Sequence, residues 1–380
     1  MKNLLKFPVI IIFTLAIIIL TVLDFAKPDI KFSDMENRVL QSNPEFSFES
    51  LVAKDSKEKY TTKYEKYIND QFIARNSWIS IKSFAETALG KQENNGIIYG
   101  EDGYMFERFD TIDEERLNKN IGFVKEYAEK NNLPMTFCII PNSYMVLKDK
   151  FPSGAIAIDQ KKYTNQIFEE LKSDKLTTEY IGPLEYPNEY VYYRTDHHWT
   201  TLGAYYGYEQ LMKSKGMTPI SFENLAQYSK TVEPFYGTYF SKAKKPNVIS
   251  DTITYYDIPI KQVTINDEVK DGLYDKEQFK KRDAYAGFLY GNNGLTIIKS
   301  DNNTAHQDGK TSRLLVIKDS YANSFIPYLT YNYDEIYVVD LRHLATKMSI
   351  FMQENTFDEV LIMYNFKNFA TDNNLAKLIF

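Results

Sequence analysis

The fold of this chain is decided by residues 312–324, which read Ser-Arg-Leu-Leu-Val-Ile-Lys-Asp-Ser-Tyr-Ala-Asn-Ser. A short apolar run ends abruptly in Asp319-Ser320, and a segment compatible with a helix follows. This order predicts a buried strand, a sharp turn and a helix. A serine in such a turn projects its hydroxyl from the carboxyl edge of a sheet, and the backbone N–H groups that open the helix can stabilise an oxyanion. Ser320 is therefore the candidate nucleophile.

A second informative stretch lies upstream at residues 194–199, Arg-Thr-Asp-His-His-Trp. It holds two of the four histidines of the chain and one of its two tryptophans. An imidazole can act as a general base near neutral pH, and a carboxylate that holds its second nitrogen fixes the tautomer. The residues thus predict that Asp196 orients His198, and that His198 activates Ser320. Ser324, one turn later, is the alternative nucleophile, although burial in the helix disfavours it.

Helical and strand-like patterns alternate around these two stretches. Helices are predicted at 114–130 and 161–172 and from residue 200 or 201 onward, and strands at 135–140, 177–181, 313–317, 335–340 and 359–363. This alternation predicts an α/β fold with a parallel sheet flanked by helices. Residues 217–310 break the rhythm with short β-like runs and are interpreted as an inserted, mostly β lobe. Nearer the N-terminus, apolar spacing predicts two helices between 50 and 89, and 97–106 has the pattern of a hairpin.

The N-terminal region is predicted to be a membrane anchor. Phe7–Leu23 is a run of 17 residues without charge, long enough to cross a bilayer core of about 30 Å. Lys2 and Lys6 precede it, which places the N-terminus in the cytoplasm and the folded part outside. A cleaved signal peptide is the alternative, but no small-residue cleavage site follows the run. The predicted organisation is a transmembrane anchor at 1–26, a stalk with little packing at 27–48 and an α/β domain at 49–380.

Composition narrows the possible partners. The 380 residues carry a net charge of −6, and no long basic run follows the N-terminus, so nucleic-acid binding is not expected. Cys138 is the single cysteine, which excludes an intrachain disulfide and a cysteine-based zinc site and suggests a buried structural thiol. The Asp-His-His run also resembles the metal site of the DHH phosphoesterases. That site needs further aspartate motifs, which the sequence lacks, so neither a metal nor a cofactor is predicted.

Four runs together resemble the DHHW family of bacterial surface proteins. They are Thr-Asp-His-His-Trp-Thr at 195–200, Lys-Asp-Ser-Tyr-Ala-Asn-Ser at 318–324, Glu-Asn-Arg at 36–38 and Asn-Asp-Gln-Phe-Ile-Ala-Arg at 69–75. That family is similar to the SGNH-hydrolase-like alginate O-acetyltransferases, in which an Asp-x-His-Trp motif supplies acid and base and a later motif supplies a serine nucleophile. The resemblance implies an SGNH-hydrolase-like fold and these roles for Asp196, His198 and Ser320. It assigns no role to His197.

The resemblance also implies a function. Such proteins often work beside a membrane-bound O-acyltransferase that carries acyl groups across the membrane. It therefore implies a membrane-anchored, extracytoplasmic O-acetyltransferase that modifies a cell-surface or secreted polysaccharide. A carbohydrate esterase is one alternative. Another is a non-catalytic glycan-binding or scaffolding component of a polysaccharide export and modification complex. Lys318 motivates this last alternative, because it stands where the family's serine block normally has glycine. Asn292, Tyr321, Arg194 and Trp199 are the candidate oxyanion or substrate contacts.

Overall fold

The computed structural model describes residues 7–33, 38–53, 55, 59–303 and 310–380. The α-helices are α1 (Pro8–Ala26), α2 (Phe48–Leu51), α3 (Tyr60–Gln71), α4 (Arg75–Ala88), α5 (Glu114–Lys130), α6 (Ser143–Val146), α7 (Gln160–Leu171), α8 (Thr201–Ser214), α9 (Phe222–Ala226), α10 (Thr238–Ala243), α11 (Ile326–Leu329), α12 (Met348–Glu354) and α13 (Phe366–Thr371). The strands are β1 (Phe32–Ser33), β2 (Arg38–Val39), β3 (Glu93–Asn94), β4 (Ile97–Tyr99), β5 (Met105–Glu107), β6 (Met135–Ile140), β7 (Leu176–Tyr180), β8 (Ser229–Phe235), β9 (Asp251–Tyr256), β10 (Gln262–Ile265), β11 (Glu268–Lys270), β12 (Leu295–Lys299), β13 (Arg313–Lys318), β14 (Glu335–Val339) and β15 (Glu359–Asn365).

The described residues divide into two units. The smaller unit contains those up to Asn94 together with Ser241–Asn247, and the larger unit contains Asn95–Phe240 and Val248–Phe380. In the larger unit, β4 and β5 form the predicted hairpin. In the smaller unit, α3 and α4 are the two helices predicted between residues 50 and 89.

The larger unit is built on an eight-stranded sheet with the order β11-β10-β12-β14-β13-β15-β6-β7. The five strands from β14 to β7 run parallel to their neighbours, and three antiparallel strands extend the edge beyond β14. Every residue of β6 is buried, as expected for a strand covered on both faces. The predicted α/β fold with a mostly parallel sheet is confirmed.

Helices cover both faces of this sheet. On one face, Val124 of α5 and Ile167 of α7 pack in the same apolar cluster as Leu315 of β13. On the other face, Tyr208 of α8 belongs to the cluster that contains Val316, the next residue of β13. Successive side chains of a strand point to opposite faces, so the two clusters are the two halves of one sandwiched core. β13 lies between them and carries Ser320 at its carboxyl end.

The predicted β lobe at 217–310 is not a separate body in its described residues. Its strands β10, β11 and β12 join the main sheet, where β12 pairs with β14 along its whole length. Strands β8 and β9 form a separate two-stranded ribbon. The physical reason is that β14 would otherwise end the sheet with an open row of backbone N–H and C=O groups, and β12 satisfies them. The β content of the segment agrees with the prediction, three of its strands extend the main sheet, and its delimitation as a lobe stays a prediction.

The predicted stalk also packs, within its described part. Arg38 donates two hydrogen bonds to the carboxylate of Asp70, at 2.9 and 2.5 Å. The side-chain amide of Gln71 pairs in both directions with the backbone of Ile30, at 2.9 Å each. Asp70 and Gln71 are buried. The expectation of little packing is therefore wrong, because the end of α3 binds this segment through charge-assisted and backbone hydrogen bonds. Residues 36 and 37 lie outside the described residues.

Helix α1 is the candidate membrane span. It has 19 residues, and the mean hydropathy of its most apolar window is 2.8, with none of that window buried. Its length and composition suffice to cross a membrane, and a signal sequence near the N-terminus would meet the same criteria. Residues 2 and 6, on which the predicted orientation depends, lie outside the described residues.

Candidate active site

Ser320 lies at the sharp turn that follows β13, two residues beyond the end of the strand. Asp319 shapes the turn. One of its carboxylate oxygens accepts the backbone N–H of Tyr321 at 2.9 Å, and the other accepts the N–H of Asn365 at 2.8 Å and the side-chain amide of Asn368 at 2.7 Å. The strand and turn are as predicted, but a short 3-10 helix, Ser320–Ser324, follows in place of an α-helix. The turn therefore holds the serine hydroxyl at the carboxyl edge of the sheet.

The Asp-His-His-Trp run lies in the loop before α8, as predicted from the sequence. The Thr200 hydroxyl caps that helix by accepting the N–H of Gly203 at 3.2 Å. This loop brings His198 to the serine turn, where its Nε2 lies 2.8 Å from the Ser320 Oγ. The other ring nitrogen, Nδ1, lies 2.6 Å from Asp196 Oδ1. The three side chains thus form one continuous hydrogen-bonded chain, in which a neutral imidazole protonated on Nδ1 accepts the serine proton on Nε2.

Asp196 is held as an anion by several donors. Its Oδ1 also accepts the backbone N–H of His198 at 3.0 Å, and its Oδ2 accepts the N–H of Thr238 at 2.7 Å and the Thr238 hydroxyl at 3.0 Å. Burial opposes the charge, but the imidazoles of His197 and His198 and these hydrogen bonds outweigh it and hold the pKa of Asp196 well below its usual range. A carboxylate in this state can stabilise an imidazolium on His198.

His198 is held in its neutral form. Only 4% of the residue is exposed, and this burial lowers its pKa, although the charge of Asp196 acts in the opposite direction. Its ring stacks on that of Tyr285, with centroids 3.6 Å apart and planes 8° from parallel. Stacking fixes the ring plane, so Nε2 stays directed at Ser320. This combination suits a general base at neutral pH.

Sequence comparison covers both motifs of this site. The profile of the family described as DHHW protein matches residues 138–339, more than half of the chain and including both site motifs. The chain belongs to the DHHW family. No curated protein matches the sequence.

Several solved structures are similar to this chain. A DHHW family protein from Eubacterium siraeum is 24% identical with a TM-score of 0.60, over 75% of this chain and 95% of that one. Bacillus cereus PatB1, in a structure with a sulfonyl adduct, is 20% identical with a TM-score of 0.57, over 73% and 96%. The O-acetyltransferase domain of Pseudomonas putida AlgJ is 12% identical with a TM-score of 0.47, over 75% and 98%. The DHHW and PatB1 structures support the fold assigned above.

The four residues predicted as oxyanion or substrate contacts have different surroundings. Trp199 is fully buried and its indole N–H donates to the carbonyl oxygen of Tyr321 at 2.9 Å and to the Ser324 hydroxyl at 3.1 Å. Trp199 therefore packs beneath the site, where it cannot contact a sugar substrate. The Tyr321 N–H is already bonded to Asp319, and its phenol donates to the carbonyl oxygen of His197, which leaves it no donor for an oxyanion. The Ser324 hydroxyl accepts the indole N–H of Trp199 and lies 3.2 Å from the Tyr285 hydroxyl. Because His198 Nε2 lies against the Ser320 hydroxyl, the structure favours Ser320 over Ser324 as the nucleophile.

Arg194 is positioned by aromatic rings. Its guanidinium carbon lies 4.8 Å from the ring centroid of Tyr190 and 5.4 Å from that of Tyr104, the arrangement of a cation–π interaction. Its backbone N–H donates to Asp251 at 2.7 Å. These contacts explain the conformation of the residue structurally, and a substrate role for Arg194 stays a prediction.

Asn292 lies in a polar cluster around Lys318. The Lys318 ammonium donates to Asn292 Oδ1 at 2.9 Å and to Asn323 Oδ1 at 2.7 Å, and it lies 3.4 Å from Asp340. Burial lowers the pKa of Lys318 to about 8. Because an ammonium only donates, Asn292 must turn its oxygen to Lys318, which leaves its NH₂ group for another acceptor. Lys318, which replaces the expected glycine, therefore orients the candidate oxyanion donor Asn292; that donor role stays a prediction.

Two supporting residues were missed by sequence reasoning. Asp251 accepts the backbone N–H groups of Arg194 and Thr195 at 2.7 and 2.8 Å and the Thr195 hydroxyl at 2.5 Å, and thereby fixes the start of the loop that carries Asp196 and His198. Thr238 holds Asp196. Nothing in the local sequence marks either residue, since both reach the loop from more than forty positions away. Three polar residues at the carboxyl edge of the sheet could have been predicted from the sequence, because each ends or directly follows a buried strand. They are Asp319, Asp340 and Asn365.

A metal ion is the other ligand that this loop could hold. One donor atom from each of Asp196, His197 and His198 lies within 4.8 Å of the others. However, Nδ1 of His197 lies 2.7 Å from the Thr238 hydroxyl, and both ring nitrogens of His198 are engaged by Asp196 and Ser320. Binding a metal would require these hydrogen bonds to break. The donor set therefore fits a proton relay better than a metal centre.

Proposed function

We propose that this chain is a serine O-acyltransferase, most simply an O-acetyltransferase, that acts outside the cytoplasm on a cell-surface or secreted polysaccharide. The observation that carries the proposal is the continuous chain of hydrogen bonds from Asp196 through His198 to Ser320, at 2.6 and 2.8 Å. An activated serine is the nucleophile of acyl transfer, and this arrangement supplies both its base and the group that orients the base.

The reaction follows from the positions of the atoms. Ser320 Oγ attacks the acyl carbonyl carbon while its proton moves to His198 Nε2, and Asp196 stabilises the imidazolium that results. As the tetrahedral intermediate collapses, His198 returns the proton to the leaving group and an acyl ester forms on Ser320. A sugar hydroxyl then attacks this ester while its proton moves to His198 Nε2, and the second tetrahedral intermediate forms. As this intermediate collapses, the bond to Ser320 Oγ breaks, His198 returns the proton to that oxygen, and the acylated sugar leaves. No cofactor takes part in these steps.

Burial of the site favours transfer over hydrolysis. Ser320 is 8% exposed and His198 is 4% exposed, so little water reaches the acyl ester when an acceptor covers the site. Exclusion of water protects a reactive intermediate from hydrolysis. A carbohydrate esterase has the same three residues, and the fate of the acyl group separates the two activities.

The proposal includes retention of α1 as a membrane anchor. Asp24, in the last turn of α1, accepts the backbone N–H of Ile73 at 2.9 Å, so the end of the helix is part of the hydrogen bonding of the smaller unit. Removal of α1 as a signal peptide would break this bond. An outward-facing anchored enzyme would meet its polysaccharide acceptor outside, while a membrane-bound O-acyltransferase would supply acyl groups made inside. This partner is part of the proposal.

Covalent labelling tests the nucleophile. PatB1, a protein of similar fold, is described with a sulfonyl adduct, so a sulfonyl fluoride is a suitable probe for the full chain. We expect intact mass spectrometry to show one adduct, mapped to Ser320, and we expect Ser320→Ala to remain unlabelled. Ser324→Ala is the matched control, because it removes a nearby buried hydroxyl and should keep the adduct.

Activity is tested on the glycan. Cells that carry Ser320→Ala should lose the O-acyl groups that the wild-type chain adds to surface polysaccharide, as measured by mass spectrometry of the purified glycan. Unchanged acylation with a correctly folded variant would refute the catalytic assignment. The non-catalytic scaffold is the second candidate, since Lys318 occupies the glycine position. It predicts neither labelling nor any effect of Ser320→Ala, while deletion of the whole chain would still reduce acylation.

A further inference from the structure

Helix α4 has its apolar face on the outside. Trp78, Ile81 and Phe84 have 47, 58 and 59% of their surface exposed. Ser83, in contrast, is 1% exposed, and its hydroxyl donates to the carbonyl oxygen of Ala243 at 3.3 Å, within the same unit. A surface helix of a soluble protein has the reverse arrangement, with the apolar stripe directed at the core.

The exposed side chains form one continuous stripe. Trp78, Ile81 and Phe84 are spaced by three residues, which places them on the same side of a helix. Ala85 and Ala88 are exposed on that side as well, whereas Thr87 lies on the inner side and donates its hydroxyl to the carbonyl oxygen of Ser83 at 2.8 Å. Contiguous apolar surface of this kind marks contact with another molecule or with a membrane.

The start of α4 is joined to the end of the candidate membrane span. The bond between the Ile73 N–H and Asp24 forms two residues before α4 begins. The backbone N–H of Arg75, the first residue of α4, donates to the carbonyl oxygen of Phe72 at 3.1 Å. Because Asp24 lies in the last turn of α1, these contacts put the first turn of α4 where a bilayer spanned by α1 ends.

We infer that α4 lies in the headgroup region of the same bilayer that α1 crosses, with Trp78, Ile81 and Phe84 inserted at the boundary of the acyl chains. This inference rests on the anchor in the proposed function. Tryptophan is enriched at this depth because its ring is apolar and its N–H is polar. An amphipathic helix with a large apolar face binds the interface in the same way. The occupant of the stripe is thus phospholipid, supplied by the bilayer that the neighbouring helix spans.

The two tryptophans of the chain make this directly measurable. Trp199 is fully buried in the larger unit, so quenching of emission by a lipid-borne quencher reports on Trp78. The full chain is reconstituted into phosphatidylcholine vesicles in which part of the lipid carries a nitroxide at a shallow position of the acyl chain. The emission of Trp78 is the difference between the wild type and Trp78→Phe, and we expect the nitroxide lipid to quench most of it. The emission that remains in Trp78→Phe should not change when the nitroxide lipid is present.

A pair of charge variants controls for position on the helix. Phe84→Glu puts a carboxylate in the stripe and should reduce quenching of Trp78. Asn76→Glu puts the same carboxylate at an exposed position whose neighbours three and four residues away lie outside the stripe, and it should leave quenching unchanged in zwitterionic lipid. A chain that floats with the vesicles but shows no quenching of Trp78 would overturn the inference while the anchor stands, and would point to a protein partner or a second copy on this face. A chain that does not float would overturn the anchor and the inference with it.

Discussion

Trp199 and Tyr321 are joined by a hydrogen bond of 2.9 Å from the indole N–H to the backbone carbonyl oxygen. Each residue directly follows a member of the hydrogen-bonded chain, since Trp199 follows His198 and Tyr321 follows Ser320. The bond therefore spans the two loops at the point where the imidazole meets the hydroxyl. Its buried position shields it from competition with water, and Trp199 also stacks against Phe325 with centroids 6.1 Å apart.

The first prediction concerns this bond. Trp199→Phe keeps an aromatic ring but removes the hydrogen bond that links the two loops, and the carbonyl oxygen of Tyr321 keeps the Ser324 hydroxyl at 3.4 Å as a weaker donor. We therefore expect the free energy of unfolding to fall by about 0.5–1.5 kcal/mol. The rate of Ser320 labelling should fall as well, because the two loops lose a fixed distance. Denaturant unfolding and labelling kinetics measure both effects. Trp78→Phe, which removes the exposed indole, should change neither, and equal stability of Trp199→Phe and wild type would contradict the role assigned to this bond.

The second prediction is a pH dependence. Burial lowers the pKa of His198, so the imidazole stays neutral below the ordinary histidine value of about 6.5. Ester cleavage by the full chain should therefore lose activity only below that pH, as measured by kcat/KM for an aryl acetate.

Asp196→Asn tests the cause of this behaviour. The charge of Asp196 raises the pKa of His198, so its removal should move the acid limb to still lower pH. The variant should also lose about four orders of magnitude in rate, because the imidazole is no longer held in the productive tautomer. An acid limb at or above the ordinary value in the wild type would contradict the assigned environment of His198.

The third prediction concerns the close approach of two backbones. A Cβ atom on Gly237 would lie 2.2 Å from the Cβ of Asp196, so Gly237→Ala must displace the carboxylate that orients His198. We expect loss of labelling at Ser320 and a lower unfolding free energy. Gly122 is the matched control, because it is exposed in the middle of α5 and an added Cβ would meet nothing within 4 Å. Gly122→Ala should stabilise the protein by about 0.5–1 kcal/mol.

The fourth prediction separates a proton relay from a metal centre. Prolonged treatment with EDTA, followed by gel filtration, should leave Ser320 labelling and aryl acetate cleavage unchanged, because no step of the proposed reaction uses a metal. Loss of activity that added Zn²⁺ or Mn²⁺ restores would instead support metal binding by Asp196, His197 and His198.

Periodic, local features were predictable from the sequence. α5 has its predicted bounds because its apolar residues recur at helical spacing between an Asp113 cap and a polar end. β6 was equally clear as a continuous apolar run. The residues around Asp196, His198 and Ser320 predicted a serine active site, because a carboxylate, an imidazole and a serine in a strand-to-helix turn are the groups that such a site needs.

Contacts between distant residues were not predictable. The register by which β12 joins β14 depends on which edge is open once the parallel strands have assembled. Arg38 and Asp70 each look like ordinary surface charges in the sequence, and only their pairing buries the carboxylate. Trp199 appeared to be a substrate contact because of its neighbours, but a sequence gives position along the chain and not depth in the fold.

The place of β15 in the sheet has a consequence for interrupted synthesis. This strand lies between β13 and β6 but follows every other described strand in chain order. A ribosome that stops before residue 359 releases a polypeptide with every member of the hydrogen-bonded relay and no strand to connect the early half of the sheet to the late half. Such a fragment exposes two apolar strand edges, so quality-control proteases should degrade it before it acquires any chemistry.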